Sequence, residues 1–214
     1  MSLKTDLDCP KIKRIVKQVK AFWKKADKDK PLFLSQPQKL LEFEELMKSL
    51  QDLVIEDISN SQMFLDKLIL STEVQTIELF NNSKIKVQIL IMPPKYFFRI
   101  HDHPEMLLVL KILQGEAEVA KYNLLNSENI YMELKQNQFS KAVGQKKEVL
   151  KMKGGDIDLV HPDHCNLHSI NCVKRVVMLD IMINSYEYTN RPCSYFELGE
   201  HIQDNFFELF HFKQ

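Results

Sequence analysis

Two histidines separated by a single residue carry much of the chemical potential of this sequence. His101 and His103 lie in the run 99–104 (Arg-Ile-His-Asp-His-Pro), which follows an apolar and aromatic segment. In a β-strand, residues two apart point to the same face. An extended conformation therefore brings the two imidazoles together and turns Asp102 to the other face. Two converging imidazoles are half of a site for a transition metal.

His168 is the candidate that completes this site, 65 residues after His103. It lies within a segment, residues 166–172, that we predict to be a strand near the end of a β-rich region. His161 and His164 are the competing third ligands. They flank a Pro-Asp pair that is typical of a turn, so we expect both at the surface.

The residues before His168 resemble the second metal motif of the cupin jelly-roll barrels. That motif runs from glycine through proline to a single histidine. Here Gly154 and Gly155 precede Pro162 and then His168, while His164 stands where the motif usually has its second glycine.

No carboxylate ligand is expected beside the three histidines. Many cupins carry a glutamate a few residues after the His-x-His pair, but those positions are Leu107 and Leu108 here. Glu105 lies only two residues after His103, and we predict that Pro104 turns the chain between them. Three neutral imidazoles leave the charge of a divalent ion uncompensated, which favours an anionic ligand such as a thiolate. Zinc with three histidines and a water is the chemical alternative.

The first part of the chain is predicted to be helical. An apolar stripe runs along residues 10–26, and lysines and arginine cover the remaining surface. Such a basic amphipathic helix can bind membranes or partners, but we expect it to pack on its own domain. Ser35 is the predicted cap of a second helix, with Pro37 in its first turn and residues 27–31 as the linker. We assign residues 1–60 to an N-terminal helical extension packed on the rest of the chain, and residues 61–214 to the domain that contains the candidate ligands.

From about residue 64 the pattern changes to short apolar or alternating segments separated by turn signals. Many short strands at regular spacing favour a mainly β sandwich or barrel. The lysine-rich stretch 136–147 is predicted to be an exposed hairpin loop, and the aromatic ending, 206–212, is expected to pack on the barrel. The predicted strands are residues 74–80, 84–92, 97–101, 107–114, 117–123, 129–134, 149–153, 157–161, 166–172 and 176–183.

Composition narrows the class of protein. Lys plus Arg and Asp plus Glu both number 29, so nothing indicates nucleic acid as a partner. We expect no membrane insertion, because the apolar runs are too short to span a bilayer and the N-terminus has no apolar signal core. Four cysteines form no Cys-x-x-Cys pair, which favours free thiols in a reducing compartment. We expect a monomer in the cytoplasm, with the nucleus as a further location.

Three blocks of sequence resemble the thiol dioxygenase family that contains cysteamine dioxygenase and the plant cysteine oxidases. The resemblance covers about residues 52–196. The first block, residues 100–106, looks like the family's His-Asp/Asn-His-Pro-Gly-Met run and leads into a Lys-x-Leu-x-Gly turn. The second, residues 166–168, looks like Asn-Leu/Phe-His. The third is Leu179-Asp180-Ile181 with Tyr186 and a Cys-x-Tyr-Phe ending at residues 193–196.

The resemblance implies a cupin double-stranded β-helix and an Fe(II) enzyme that adds both atoms of O2 to a thiol, giving a sulfinic acid. His101, His103 and His168 match the family's iron ligands. The family acts on small aminothiols such as cysteamine, or on cysteine at the N-terminus of peptides and proteins. In the peptide case, oxidation feeds an oxygen-dependent degradation pathway, the N-degron route. A non-enzymatic metal-binding cupin with a regulatory role is the alternative from another class.

Four further residues match the family's functional positions. Asp180 and Tyr186 match the acidic and phenolic residues near the substrate, and Cys193 and Tyr195 match a pair that forms a thioether crosslink in some members. Asp180 is the only acid in an apolar predicted strand, so it needs a partner. A substrate ammonium, a histidine N–H and Tyr186 are the candidates. For Tyr186 a structural role and a catalytic role stay open, and for the Cys193 and Tyr195 pair so do crosslinking and plain packing.

The sequence also departs from the family. Glu105 replaces the glycine that follows His-x-His-Pro, where a bulky acid narrows the entrance or favours a cationic substrate. Asn184 and Ser185 replace the Pro-Pro pair before the tyrosine, and Phe196 replaces the second tyrosine of the ending. None of these changes removes a ligand.

Overall fold

Helices precede the strands in the computed structural model, which describes residues 9–26, 34, 36–69, 72–125, 141–187 and 192–212. Ser35, the linker 27–31 and the predicted strand 129–134 lie outside the described residues. The helices are α1 (Pro10–Ala26), α2 (Leu41–Gln51), α3 (Glu56–Ser59) and α4 (Gln62–Ile69), with a 3-10 turn at Pro37–Lys39 before α2. None of the described helices has the length and apolar character needed to cross a membrane.

Eleven strands follow in the described part of the chain. They are β1 (Gln75–Asn81), β2 (Ile85–Met92), β3 (Phe97–Asp102), β4 (Leu107–Gln114), β5 (Glu116–Leu124), β6 (Lys141–Lys153), β7 (Ile157–Val160), β8 (Leu167–Cys172), β9 (Val176–Ile183), β10 (Tyr195–Gln203) and β11 (Phe206–Phe212). One sheet has the order β1-β2-β9-β4-β7. The other has the order β10-β11-β6-β5-β8-β3 and closes, because β10 also pairs with β3.

This architecture confirms the predicted mainly β cupin barrel with an N-terminal helical extension. The apolar face of α1 packs in one core cluster with the outer face of the first sheet, so residues such as Ile15 and Phe22 lie with Ile89 and Leu179. The burial of this stripe explains why the basic residues of α1 form its outer surface. Between the two sheets, which together form the barrel, alternate residues of the first sheet pack against alternate residues of the second in a separate core.

Two predictions about element type are wrong. The strand region does not begin at residue 64, because Phe64 lies in α4 and is buried. The stretch 141–147 is not a loop but the first half of β6, which pairs with β5 on one side and β11 on the other. The buried positions of this half include Ala142 and Gly144. Because both residues are small, the sequence shows no apolar alternation here. A Cβ on Gly144 would lie 2.4 Å from Cδ1 of Leu209, so a side chain there would require the Leu209 side chain to move.

Candidate metal centre

Strands β3 and β8 bring the three predicted ligands to one point. His101 and His168 are cross-strand partners, and His103 follows β3 directly, held by a bond from its N–H to the carbonyl of Asn166 at 2.9 Å. Nε2 of His168 lies 3.1 Å from Nε2 of His101 and 3.2 Å from Nε2 of His103. All three side chains are buried. His161 and His164 lie outside this group. His164 is exposed, and His161 is half-buried and bonded to the backbone of Leu34.

The hydrogen bonds on the far side of two rings fix where their protons lie. Nδ1 of His101 is 2.8 Å from the carbonyl of Arg99, which can only accept, so Nδ1 carries the proton. Tyr186 donates its hydroxyl proton to the carbonyl of Asp102 at 2.7 Å. Nδ1 of His103, 2.9 Å from the same hydroxyl oxygen, must therefore donate to it. Both Nε2 atoms thus present lone pairs toward the same point, which is the arrangement that a cation requires.

Burial keeps these imidazoles neutral, the form that binds a metal. It lowers the pKa of His101 to about 4. Burial, and then the proximity of the other rings, holds the pKa values of His103 and His168 well below the usual range. In the part of the chain that the structure describes, the group contains three histidines and no carboxylate. This donor set fits a divalent transition metal with open positions for further ligands.

Asp102 faces away from the histidine rings and organises the neighbouring segment. Its carboxylate accepts a 2.7 Å bond from the N–H of Ser194, whose carbonyl accepts the N–H of Asp102 at 3.1 Å. Burial raises the pKa of this carboxyl to about 7. This pair of hydrogen bonds fixes the position of Ser194 and so holds its neighbours Cys193 and Tyr195 beside the histidines.

Cys193, Tyr195 and Tyr186 form a group next to the histidines. The Cys193 thiol lies within hydrogen-bonding range of both phenols, and burial raises its pKa to about 12. The ring of Tyr195 stacks on that of His101 with centroids 5.9 Å apart. Burial, followed by the proximity of Cys193, raises the pKa of Tyr186 well above its usual value. The Cys193 thiol and the Tyr186 phenol are therefore protonated at neutral pH, and Tyr186 orients His103.

Asp180 lies on the inner face of β9, where its partner is Gln88 rather than a histidine or Tyr186. The amide of Gln88 donates to Oδ2 at 2.7 Å, and Oδ1 is buried without a partner among the described residues. Burial raises the pKa of Asp180 to about 6. Sequence reasoning missed Gln88, although a glutamine within the apolar segment of β2 was a visible signal.

Two rows of inward-facing and mostly polar side chains, one on each sheet, face each other across the barrel. In the second sheet the cross-strand order is Lys121, His168, His101, Tyr195, and in the first sheet it is Asp158, Leu110, Asp180, Gln88. The rows meet at one end, where Nζ of Lys121 bonds Oδ1 of Asp158 at 2.5 Å. This places Asp180 on the wall that faces the histidines. The Lys121 and Asp158 pair was not predicted from the sequence.

Glu105 lies at the turn after His103 with its side chain exposed. Its φ of 54° is in the left-handed region that favours glycine, which is the residue that the family pattern has at this position. The carbonyl of Glu105 accepts a 2.8 Å bond from the side chain of Asn184, another residue with positive φ. Glu105 and Asn184 are both departures from the family pattern, and this bond joins them.

The solved structures to which this chain is similar are distant from it in sequence. A cupin superfamily protein from Desulfitobacterium hafniense is 14% identical, covering 53% of this chain and 79% of its own, with a TM-score of 0.38. KdgF from Halomonas sp. is 10% identical, covering 55% and 84%, with a TM-score of 0.37. The Cnp3 cupin domain of Schizosaccharomyces pombe is 17% identical, covering 56% and 72%, with a TM-score of 0.38. A search of curated protein sequences finds no match.

A family model gives the more specific result. The model named PCO_ADO, which describes the plant cysteine oxidases and cysteamine dioxygenase, matches residues 45–205. The match extends over all three blocks on which the resemblance rests and includes the three clustered histidines. The chain belongs to the plant cysteine oxidase and cysteamine dioxygenase family.

Proposed function

We propose that this protein is an Fe(II)-dependent dioxygenase that converts the thiol of an N-terminal cysteine in peptides or proteins to a sulfinic acid. The observation that carries this proposal is the convergence of three neutral imidazoles, with no carboxylate among the described residues of the group, in a chain of the thiol dioxygenase family. The reaction balances as R–SH + O2 → R–SO2H. Both oxygen atoms end on sulfur, and no further reductant is consumed.

The three Nε2 atoms of His101, His103 and His168 would hold the iron. Once bound, iron would supply the redox chemistry that lets O2 react with the substrate thiol. Since the ligands are neutral, the site attracts an anionic sulfur in preference to a neutral one. Arg99 and Tyr186 keep two of the rings in the tautomer that binds metal.

Asp180 provides a place for the substrate's amine. Gln88 holds one carboxylate oxygen, and the other is buried on the wall facing the histidines. A substrate ammonium that donates to this oxygen would satisfy it and would lower the pKa of the carboxyl. An N-terminal cysteine and cysteamine both carry an amine two carbons from the sulfur, so both fit this arrangement. Thiols without a free amine do not.

The surroundings of the site control water and protons. Leu110 lies between Asp158 and Asp180 in the facing row and makes this part of the wall apolar. The Tyr186 phenol and the Cys193 thiol are protonated donors beside the histidines. Such donors can stabilise negative charge that develops on oxygen during the reaction. When the substrate is a regulatory protein, the sulfinic product would couple its degradation to O2.

The direct test is anaerobic reconstitution with Fe(II), followed by a Cys-initiated peptide and O2. We expect a mass gain of two oxygen atoms on the peptide. The same peptide with an acetylated N-terminus should react poorly, and a Ser-initiated peptide should not react. A parallel reaction with cysteamine distinguishes the small aminothiol as the preferred substrate. Bound iron without a mass gain on either substrate would favour the non-enzymatic metal-binding cupin.

A further inference from the structure

The second ring nitrogen of His168 lacks a fixed partner. The other two ligand histidines use Nδ1 to bond a neighbour, whereas Nδ1 of His168 is buried and has no hydrogen-bond partner in the described part of the chain. When Nε2 binds a metal, Nδ1 carries the proton and becomes a donor. Histidine ligands almost always donate this proton to a carboxylate, a carbonyl or a water. An acceptor is therefore needed close to His168.

An unsatisfied acceptor lies on the facing wall of the barrel. Oδ2 of Asp158 is buried without a partner among the described residues, while Oδ1 accepts the 2.5 Å bond from Lys121. Lys121 also donates to the carbonyl of Leu159 at 3.1 Å, so the ammonium is held at two points. Asp158 points inward, because its neighbour Val160 belongs to the interior core while Ile157 packs toward the helices.

Register places Asp158 at the end of the barrel nearest His168. Lys121 is the cross-strand neighbour of His168, on the same inward face, and it reaches directly to Asp158. Asp102 and Asp180 also have a buried oxygen without a partner among the described residues. Asp102 faces away from the histidine rings, and Asp180 lies beyond Leu110, across from His101. Asp158 is thus the acceptor on the correct side.

We propose that Asp158 is a positioning residue of the metal centre, whose Oδ2 accepts the Nδ1 proton of His168 through one buried water. A water that joins a buried donor to a buried acceptor satisfies both groups at little entropic cost. The carboxylate fixes the tautomer of His168 and strengthens Nε2 as a ligand. This role also explains the buried Lys121 and Asp158 pair, since such pairs add little to stability by themselves. The inference rests on the proposed function only in requiring that the histidines bind a metal.

The experiment uses the full chain loaded with Co(II), a paramagnetic probe for the iron site. Proton NMR spectra of the Co(II)-loaded wild type should show three paramagnetically shifted, exchangeable ring N–H signals, one from each ligand histidine. Asp158→Ala should weaken Co(II) binding by about 10–100-fold, measured by chelator competition, and should broaden one of the three signals by faster exchange. Asp158→Asn, which keeps an acceptor without the charge, should lie between Ala and wild type.

Two further variants control for folding and for general charge effects. Glu148→Gln removes an exposed carboxylate 3.4 Å from Nζ of Lys121 and should leave affinity and all three signals unchanged. Lys121→Met combined with Asp158→Leu removes the pair without leaving a buried charge, and it should lose affinity as Asp158→Ala does.

Three sharp signals and unchanged affinity in the Asp158 variants would overturn the inference. If the wild type bound no metal, both this inference and the proposed function would fail. Loss of the His168 signal in a chain that oxidises no thiol would support the inference and contradict the proposed function.

Discussion

The hydroxyl of Tyr186 lies 2.9 Å from Nδ1 of His103 and gives its own proton to the carbonyl of Asp102. This chain of two hydrogen bonds fixes the tautomer of His103, a proposed metal ligand, from 83 residues away in the sequence. Tyr186, which matches a phenol near the substrate in the family, therefore contacts a proposed ligand histidine directly.

Removing this hydroxyl should weaken metal binding without unfolding the protein. Tyr186→Phe keeps the ring but leaves His103 Nδ1 without its acceptor, and we expect about a 10-fold loss of Co(II) affinity by chelator competition. Tyr195→Phe is the matched control, because it removes a phenol hydroxyl that lies within hydrogen-bonding range of the Cys193 thiol. Equal affinities in the two variants would contradict the role given to Tyr186.

The buried carboxyl of Asp180 should give the fold a measurable pH dependence. The pKa of this carboxyl in the folded protein, about 6, exceeds its ordinary value of 3.8. The protonated carboxyl therefore contributes stability that is fully present below about pH 4 and is lost as the pH rises through about 6. Asp180→Asn still accepts from Gln88, so it should be more stable than wild type at pH 8, by on the order of 2 kcal/mol, and equal near pH 4. Urea titrations at both pH values measure this difference, and a pH-independent difference would contradict the shifted pKa.

The same variant should impair catalysis through the substrate's amine. Asp180→Asn is expected to raise KM for a Cys-initiated peptide by about 10-fold or more, because it removes the charge that pairs with the ammonium. Reaction rates with the peptide and with its acetylated form give the comparison. The ratio of the rate with the free peptide to the rate with the acetylated peptide should be smaller in the variant than in the wild type. An unchanged ratio would assign Asp180 a purely structural role.

The left-handed conformation of Glu105 should cost stability. Glu105→Gly relieves strain at a φ of 54° and should raise the free energy of unfolding by about 0.5–1 kcal/mol, after the greater freedom of glycine in the unfolded chain. Glu105→Ala removes the charge but keeps Cβ, so it should show no such gain. Urea denaturation distinguishes the two, and a gain in both variants would point to charge rather than backbone strain.

Sequence reasoning succeeded where local pattern and register coincide. The bounds of β4 and β9 were predicted as found, because both are continuous apolar strands buried on both faces. The clustering of His101, His103 and His168 followed from strand alternation and motif order. The first half of the long β6 was missed because its buried residues are small. Gly144 packs against Leu209 on another strand, a contact that the local sequence does not show.

The partners of the buried acids could not be read from the sequence. Gln88 meets Asp180 from 92 residues away, and Lys121 meets Asp158 across the two sheets, from 37 residues away. Both contacts depend on the register of strands that are distant in the chain. Alternation indicated that Asp180 needed a partner, but only the pairing of β2 with β9 identified it.

The central claim is that this chain transfers both atoms of O2 to a single thiol sulfur at the three-histidine centre. The most direct measurement is the reaction of the Fe(II)-loaded protein with a Cys-initiated peptide under 18O2, followed by mass spectrometry of the sulfinic product. Our account predicts two 18O atoms on each product molecule and no product from His168→Ala. A product that carries one label or none, or equal product from His168→Ala, would contradict it.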